Sequence, residues 1–189
     1  FKKTRSHRVR NLGASRSAFR ITNLLGDTTP ELITIIKGNV VSIPLDGDAI
    51  GKPLVFSVED RVIAFELDDY DGNDLKDIAG IVPNSSEPVR LWLAKENEET
   101  VSMGPQLRFE MPPLRDFASV TLPDTTSTKM AIIERASRRI VLYEVDREVI
   151  ETTGDREASI ETYPFLGEGN RKQLIADVNN DGLSDLIAT

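Results

Sequence analysis

Cysteine is absent from this 189-residue chain, and histidine occurs once, as His7. Without thiols there is no disulfide framework, no thiolate nucleophile and no sulfur-ligated zinc site. A single histidine in a polar, basic stretch argues against a Ser-His-Asp triad and against any multi-histidine metal site. Long hydrophobic runs are missing too: none approaches the roughly 20 residues that span a bilayer. What remains is carboxylate, amide and hydroxyl chemistry. Hard, oxygen-preferring cations such as calcium suit that inventory best.

Hydrophobic residues at 39% and charged residues at 29% are ordinary for a soluble globular protein. The length fits one domain or part of a larger one. Phe1 stands at the start and no signal-peptide pattern follows, as expected of a processed chain or an excerpt. Residues 1–20 carry seven Lys or Arg and no acid, leaving 16 bases against 31 acids in the rest. The basic head suits an anionic partner or a solvated tail, and its lack of interleaved aromatics favours the tail. The acidic remainder argues against nucleic acid.

Short β-type segments dominate. Glu31–Ile36, Val89–Leu93, Gln106–Met111 and Arg139–Val145 are β-branched, leucine-rich or aromatic, and turn residues separate them. Ten prolines and twelve glycines spread along the chain fit many turns and few long helices. Thr128–Arg139 and Arg147–Glu157 are the two stretches where a helix competes, against the β-branched pair Ile132-Ile133 and the breaker Thr152–Gly154.

A period runs beneath these segments. Asp69–Ile78 and Asp177–Leu186 align without gaps as D-x-[DN]-x-[DN]-x-L-x-D-[IL]. Weaker copies start at Asn23 and Thr121, so the steps are 46, 52 and 56 residues. Phe19, Phe65 and Phe117 stand four residues before the first three starts, with Gln173 before the last. Each interval leaves room for four strands, at about 62–67, 76–82, 88–94 and 105–111 in the second unit, and about 116–121, 129–135, 138–145 and 158–163 in the third. The expectation is all-β: a β-propeller segment of about three four-stranded blades and the start of a fourth. The units are 1–16 (tail or strand of a preceding blade), 17–60, 61–115, 116–169 and 170–189.

Calcium takes about six to eight oxygen ligands, which a tight loop presents from alternate residues. The candidate ligands are Asp69, Asp71, Asn73, Leu75 through its carbonyl, and Asp77. In the later loop they are Asp177, Asn179, Asp181, Leu183 through its carbonyl, and Asp185. Three carboxylates in one loop repel unless a cation joins them. The bland alternative is a solvated Asx turn. An EF-hand would need Glu at position twelve, where Gly80 and Ala188 stand. Position six is Gly182 in one loop and Asp74 in the other, and Asp tolerates the left-handed conformation better than most residues. In the weak copies Leu25, Thr121 and Thr125 supply no carboxylate, and hydrogen bonds are expected to hold those loops.

The loop pattern, the preceding phenylalanine and the spacing near fifty residues resemble FG-GAP/VCBS-type repeats, although literal FG and GAP elements are missing. The resemblance spans about residues 17–189. It implies a calcium-binding β-propeller, integrin-α-like, in a secreted or cell-envelope protein, with two Ca²⁺ sites. It further implies a non-catalytic interaction, adhesion or scaffold module with a protein or glycan ligand. The remaining blades would come from the rest of the chain or another chain. The alternative is a propeller in a secreted polysaccharide-active enzyme of lyase type, or a glycan-binding lectin.

Other features have plain readings. Trp92 suits a stacking platform or, more simply, packing between blades. Asn84-Ser85-Ser86 is a glycosylation sequon in a turn. The acid clusters Glu96–Glu99 and Asp146–Glu151 read as solvated hairpin ends rather than paired catalytic carboxylates.

Overall fold

The computed structural model describes residues 19–46, 51–56, 61–97, 100–122, 125–136, 139–146, 159–164, 173–176, 178–179 and 185–188. Among these the regular elements are all β-strands. The first sheet runs β1 (Phe19–Thr22), β2 (Glu31–Ile36), β3 (Asn39–Pro44), β4 (Leu54–Phe56), each strand antiparallel to the next. The second sheet is another meander: β5 (Ala64–Asp68), β6 (Asp77–Ile81), β7 (Val89–Trp92) and β10 (Leu107–Phe109). Between β7 and β10 a hairpin, β8 (Ala94–Glu96) and β9 (Val101–Met103), leaves the sheet. The third sheet is β11 (Leu114–Val120), β12 (Lys129–Glu134), β13 (Arg139–Glu144) and β14 (Ser159–Pro164). β15 (Gln173–Ala176) pairs with β16 (Asp185–Ala188). Among the described residues no sheet closes on itself.

These strands fall within a few residues of where periodicity put them. The helical alternative for Thr128–Arg139 gives way to strand β12, because Ile132 and Ile133 point to opposite faces and both are buried. Arg147–Glu157 lies outside the described residues. Asn97 and Thr100, which exchange backbone hydrogen bonds, close the β8–β9 hairpin, and Glu98 and Glu99 lie outside the described residues. Lys37 and Gly38 connect β2 to β3 with φ of 54° and 82°, the left-handed pair that matches the twist of a two-residue hairpin.

The four opening hairpins share one register. Phe19 faces Thr34, Phe65 faces Gly80, Phe117 faces Ile132 and Gln173 faces Ala188. Their last pairs are Thr22–Glu31, Asp68–Asp77, Val120–Lys129 and Ala176–Asp185. Each hairpin therefore spans a loop of the same length: 23–30, 69–76, 121–128 and 177–184. A one-residue slip would turn every side chain to the wrong face, so a common register means a common division of inward and outward residues.

Apolar burial glues the sheets face to face. Ile33, Val40 and Phe56 of the first sheet meet Phe65, Ile78 and Trp92 of the second. Ala79, Ile81, Val89 and Leu91, on the opposite face of the second sheet, meet Phe117, Met130, Ile132 and Val141 of the third. Both faces of β6 are thus covered, which explains a strand in which all five residues are buried. The tryptophan is a packing residue: Trp92 is buried and lies 6.1 Å from Phe56, ring to ring, across the first junction. Polar ties reinforce the stack. Arg20 on β1 pairs with Glu66 on β5 at 2.9 Å and lies over the Phe65 ring. β11 runs beside both β5 and β15, so the opening strands of successive sheets are neighbours.

Candidate metal centre

The loop between β5 and β6 is wound around one side chain. Asp69 Oδ1 accepts the N–H groups of Gly72 at 2.8 Å and Asn73 at 3.0 Å, and its Oδ2 accepts that of Asp74 at 2.8 Å. Three successive donors on one carboxylate require a tight turn. Gly72 and Asp74 make it by taking φ of 74° and 64°. Asp74, at the position where the later loop's sequence has Gly182, takes the left-handed conformation itself.

The turn brings carboxylates together. One oxygen from each of Asp69, Asp71 and Asp77 lies within 4.8 Å of the others. Both oxygens of Asp71 are turned out of solvent. Oxygens on one calcium ion, at about 2.3–2.6 Å each, stand up to about 5 Å apart, so one cation could span the triad. Asp77 is fully buried at the start of β6. Burial, with the Asp71 and Asp69 charges adding, pushes its carboxyl up to about 7, against the N–H groups of Ala94 and Tyr70 that favour the charged form. A bound cation would reverse that balance by stabilising all three carboxylates.

The remaining sequence candidates divide. Asn73 stands in the loop with both ends of its amide engaged: Oδ1 accepts the Leu75 N–H at 2.9 Å and Nδ2 donates to the Ala94 carbonyl at 2.9 Å. Leu75 is half-buried in the same turn. In the later loop Asp177, Asp181 and Leu183 lie outside the described residues. Asn179 is exposed, and Asp185 Oδ2 accepts the Val178 N–H at 2.8 Å. That bond repeats the one from Tyr70 N–H to Asp77 Oδ2, also 2.8 Å.

The two weak copies are closed by hydrogen bonds. In the first, Glu31 Oε2 accepts the Leu24 N–H at 2.7 Å, Asp27 Oδ1 accepts the Thr29 N–H at 2.7 Å, and Asn23 donates to the Asp27 carbonyl. In the third, Thr125 donates to the Leu122 carbonyl at 2.9 Å, and Lys129 replaces the acid at position nine and pairs with Glu144 at 3.6 Å.

Three residues matter here that pattern matching passed over. Tyr70 is fully buried, and its hydroxyl lies 2.7 Å from Ser119 Oγ on β11. Burial pushes that phenol well above its usual range. Its signal was the apolar residue at position two of every copy: Leu24, Tyr70, Leu122 and Val178. Thr128 N–H donates to the Asp69 carbonyl at 2.7 Å, and its hydroxyl to Asp68 Oδ1 at 3.0 Å. Ala94 N–H donates to Asp77 Oδ1 at 2.7 Å. Ala94 carries no local sequence signal because it acts through its backbone, and Thr128 adds only a common hydroxyl to its backbone bond.

No protein-family model matches the chain, and no curated protein matches it in sequence. Among the described residues no helix is long and apolar enough to cross a membrane.

Proposed function

We propose that this chain is a non-catalytic, calcium-stabilised β-propeller module of FG-GAP/VCBS type. It would serve as an interaction or scaffold surface of a secreted or cell-surface protein, with a protein or glycan ligand. The observation that carries the reading is the Asp69, Asp71 and Asp77 cluster, three carboxylates within ligand distance of one point, on a loop whose turn is built by Asp69 itself. The stacked meanders support the propeller part. Each holds four antiparallel strands, their opening strands are neighbours, and their opening hairpins share a register.

Calcium rather than a softer metal follows from the oxygen-only ligand set. When bound, the ion supplies fixed positive charge, and its role is to rigidify the turn leading into β6. Asp69, Asp71 and Asp77 would each contribute a carboxylate oxygen to the ion. Such sites in extracellular modules bind at roughly 10⁻⁴–10⁻³ M, which matches a calcium-rich setting. The test is the thermal midpoint of the 189-residue chain in millimolar calcium and in chelator. A rise with calcium that Asp71→Ala removes is expected. Identical midpoints in both conditions overturn the reading.

A further inference from the structure

The second loop does not stand alone. Loops 23–30 and 121–128 lack the three-carboxylate set of loop 69–76, yet each is bonded to it, directly or through one intermediary. On the side of the third sheet, Thr128 N–H donates to the carbonyl of Asp69 and its hydroxyl to the adjacent Asp68. On the side of the first sheet the link is the β8–β9 hairpin. Both backbone groups of Ala94 are held by the cation loop: N–H by Asp77 Oδ1 at 2.7 Å and carbonyl by Asn73 Nδ2 at 2.9 Å. At the other strand of that hairpin, Val101 N–H donates to the Leu25 carbonyl at 3.0 Å. There the first loop passes so close that a Cβ on Gly26 would lie 2.7 Å from Val101 Cγ2, and Gly26 has φ of 72°.

We infer that the cation site on loop 69–76 orders three loops, its own and the two neighbouring loops that lack its carboxylate triad, with the β8–β9 hairpin as the strap to the first. The inference rests on the proposed reading of Asp69, Asp71 and Asp77 as a cation site. Physically, the atoms that would ligate the ion belong to the residues that hold the neighbours: Asp77 and Asn73 hold Ala94, and the Asp69 peptide holds Thr128. Relieving the repulsion among the carboxylates fixes those residues, and the neighbours' bonds are fixed with them. The hairpin is the excursion that lets a loop without the carboxylate triad share the ion.

Hydrogen exchange of the whole chain, in millimolar calcium and in chelator, tests this at three amides: Ala94, Val101 and Thr128. Val41 and Val141, buried in the first and third sheets, serve as references for global stabilisation. Calcium is expected to slow all three on the order of tenfold beyond its effect on the references. In Asp71→Asn, which leaves the bonds to Ala94 and Thr128 in place, all three are expected to exchange as in chelated wild type. A calcium-raised melting midpoint with Val101 and Thr128 changing no more than the references overturns the shared-site inference and leaves the proposed function standing. No change in midpoint and no change at any amide overturns both.

Discussion

Tyr70 and Asp77 are joined by a hydrogen bond of 2.8 Å, from the backbone N–H at position two of the loop to the carboxylate at position nine. Leu24 and Glu31 are joined the same way at 2.7 Å, and Val178 and Asp185 at 2.8 Å. The acid at position nine therefore closes the hairpin before it ligates anything. Hence Glu31 persists in a loop where Leu25 stands at position three. Where the acid is lost, at Lys129, the ends of the loop are tied instead through Thr128 to the neighbouring sheet.

Two carboxylates of the cluster should then fail differently. Asp77→Ala leaves the N–H groups of Tyr70 and Ala94 buried without their acceptor. Each costs about 1–3 kcal/mol, so the variant should lose several kcal/mol even in chelator. Asp71→Ala removes charge from the cluster without touching those bonds. Its stability in chelator should equal or exceed wild type, and its calcium response should vanish. Urea unfolding of both variants, with and without calcium, measures the contrast. Equal losses in chelator would refute it.

Glu31 gives the metal-free counterpart. Burial, with Asp27 adding, raises its carboxyl above the ordinary 4.5, against the Leu24 N–H. A raised folded value contributes stability below pH 4.5 that is lost as pH rises through it. Glu31→Gln keeps an acceptor for Leu24 and removes the buried charge, so its stability relative to wild type should grow with pH. Glu31→Ala leaves the Leu24 N–H without its acceptor, so it should cost about 1–3 kcal/mol at low pH, and that cost should shrink as pH rises. Thermal melts from pH 4 to 8 check both, and calcium should still stabilise each variant.

The strands were legible because their causes are local: alternation, β-branching and turn residues place β2, β6, β7, β12 and β13. The period was legible because Phe65 and Phe117 fill equivalent buried places four residues before each loop. Phe19 holds the same register but is partly exposed, at 38%, so the pattern marked pairing better than burial. The Asp69, Asp71 and Asp77 cluster was legible from spacing alone. The bonds to Ala94 and Thr128 were not, since backbone groups bond alike whatever residue carries them. Nor was the β8–β9 strap, which among the described residues accompanies only the second of the four-stranded sheets.

Asp77 sets a pH dependence with a definite sign. Its carboxyl is pushed from 3.8 up to about 7, chiefly by burial. The cation-free fold binds that proton more tightly than the unfolded chain does. Asp77 therefore contributes stability below its ordinary 3.8, and that contribution is lost as pH rises through about 7. Calcium competes with the proton, so its stabilising shift should grow over the same window. In Asp71→Asn one of the charges that raise Asp77 is gone, and the cation-free decline should move to lower pH. Melting midpoints in chelator for both proteins, taken from pH 4 to 8, test this. Superimposable profiles would refute the coupling.

Trp92 reports on the junction between the first two sheets. It is the chain's only tryptophan, 3% exposed and tilted against Phe56 across the interface. Its emission should be blue-shifted and resistant to a soluble quencher in the folded chain, and red-shifted on unfolding. Trp92→Ala should cost about 3–5 kcal/mol, because large-to-small changes leave a cavity that the surrounding strands fill only in part. Phe56→Ala removes the partner ring, and the two losses should not add, since both open the same cavity. A ligand-stacking tryptophan would behave otherwise: quencher would reach it, and its removal would leave urea unfolding unchanged.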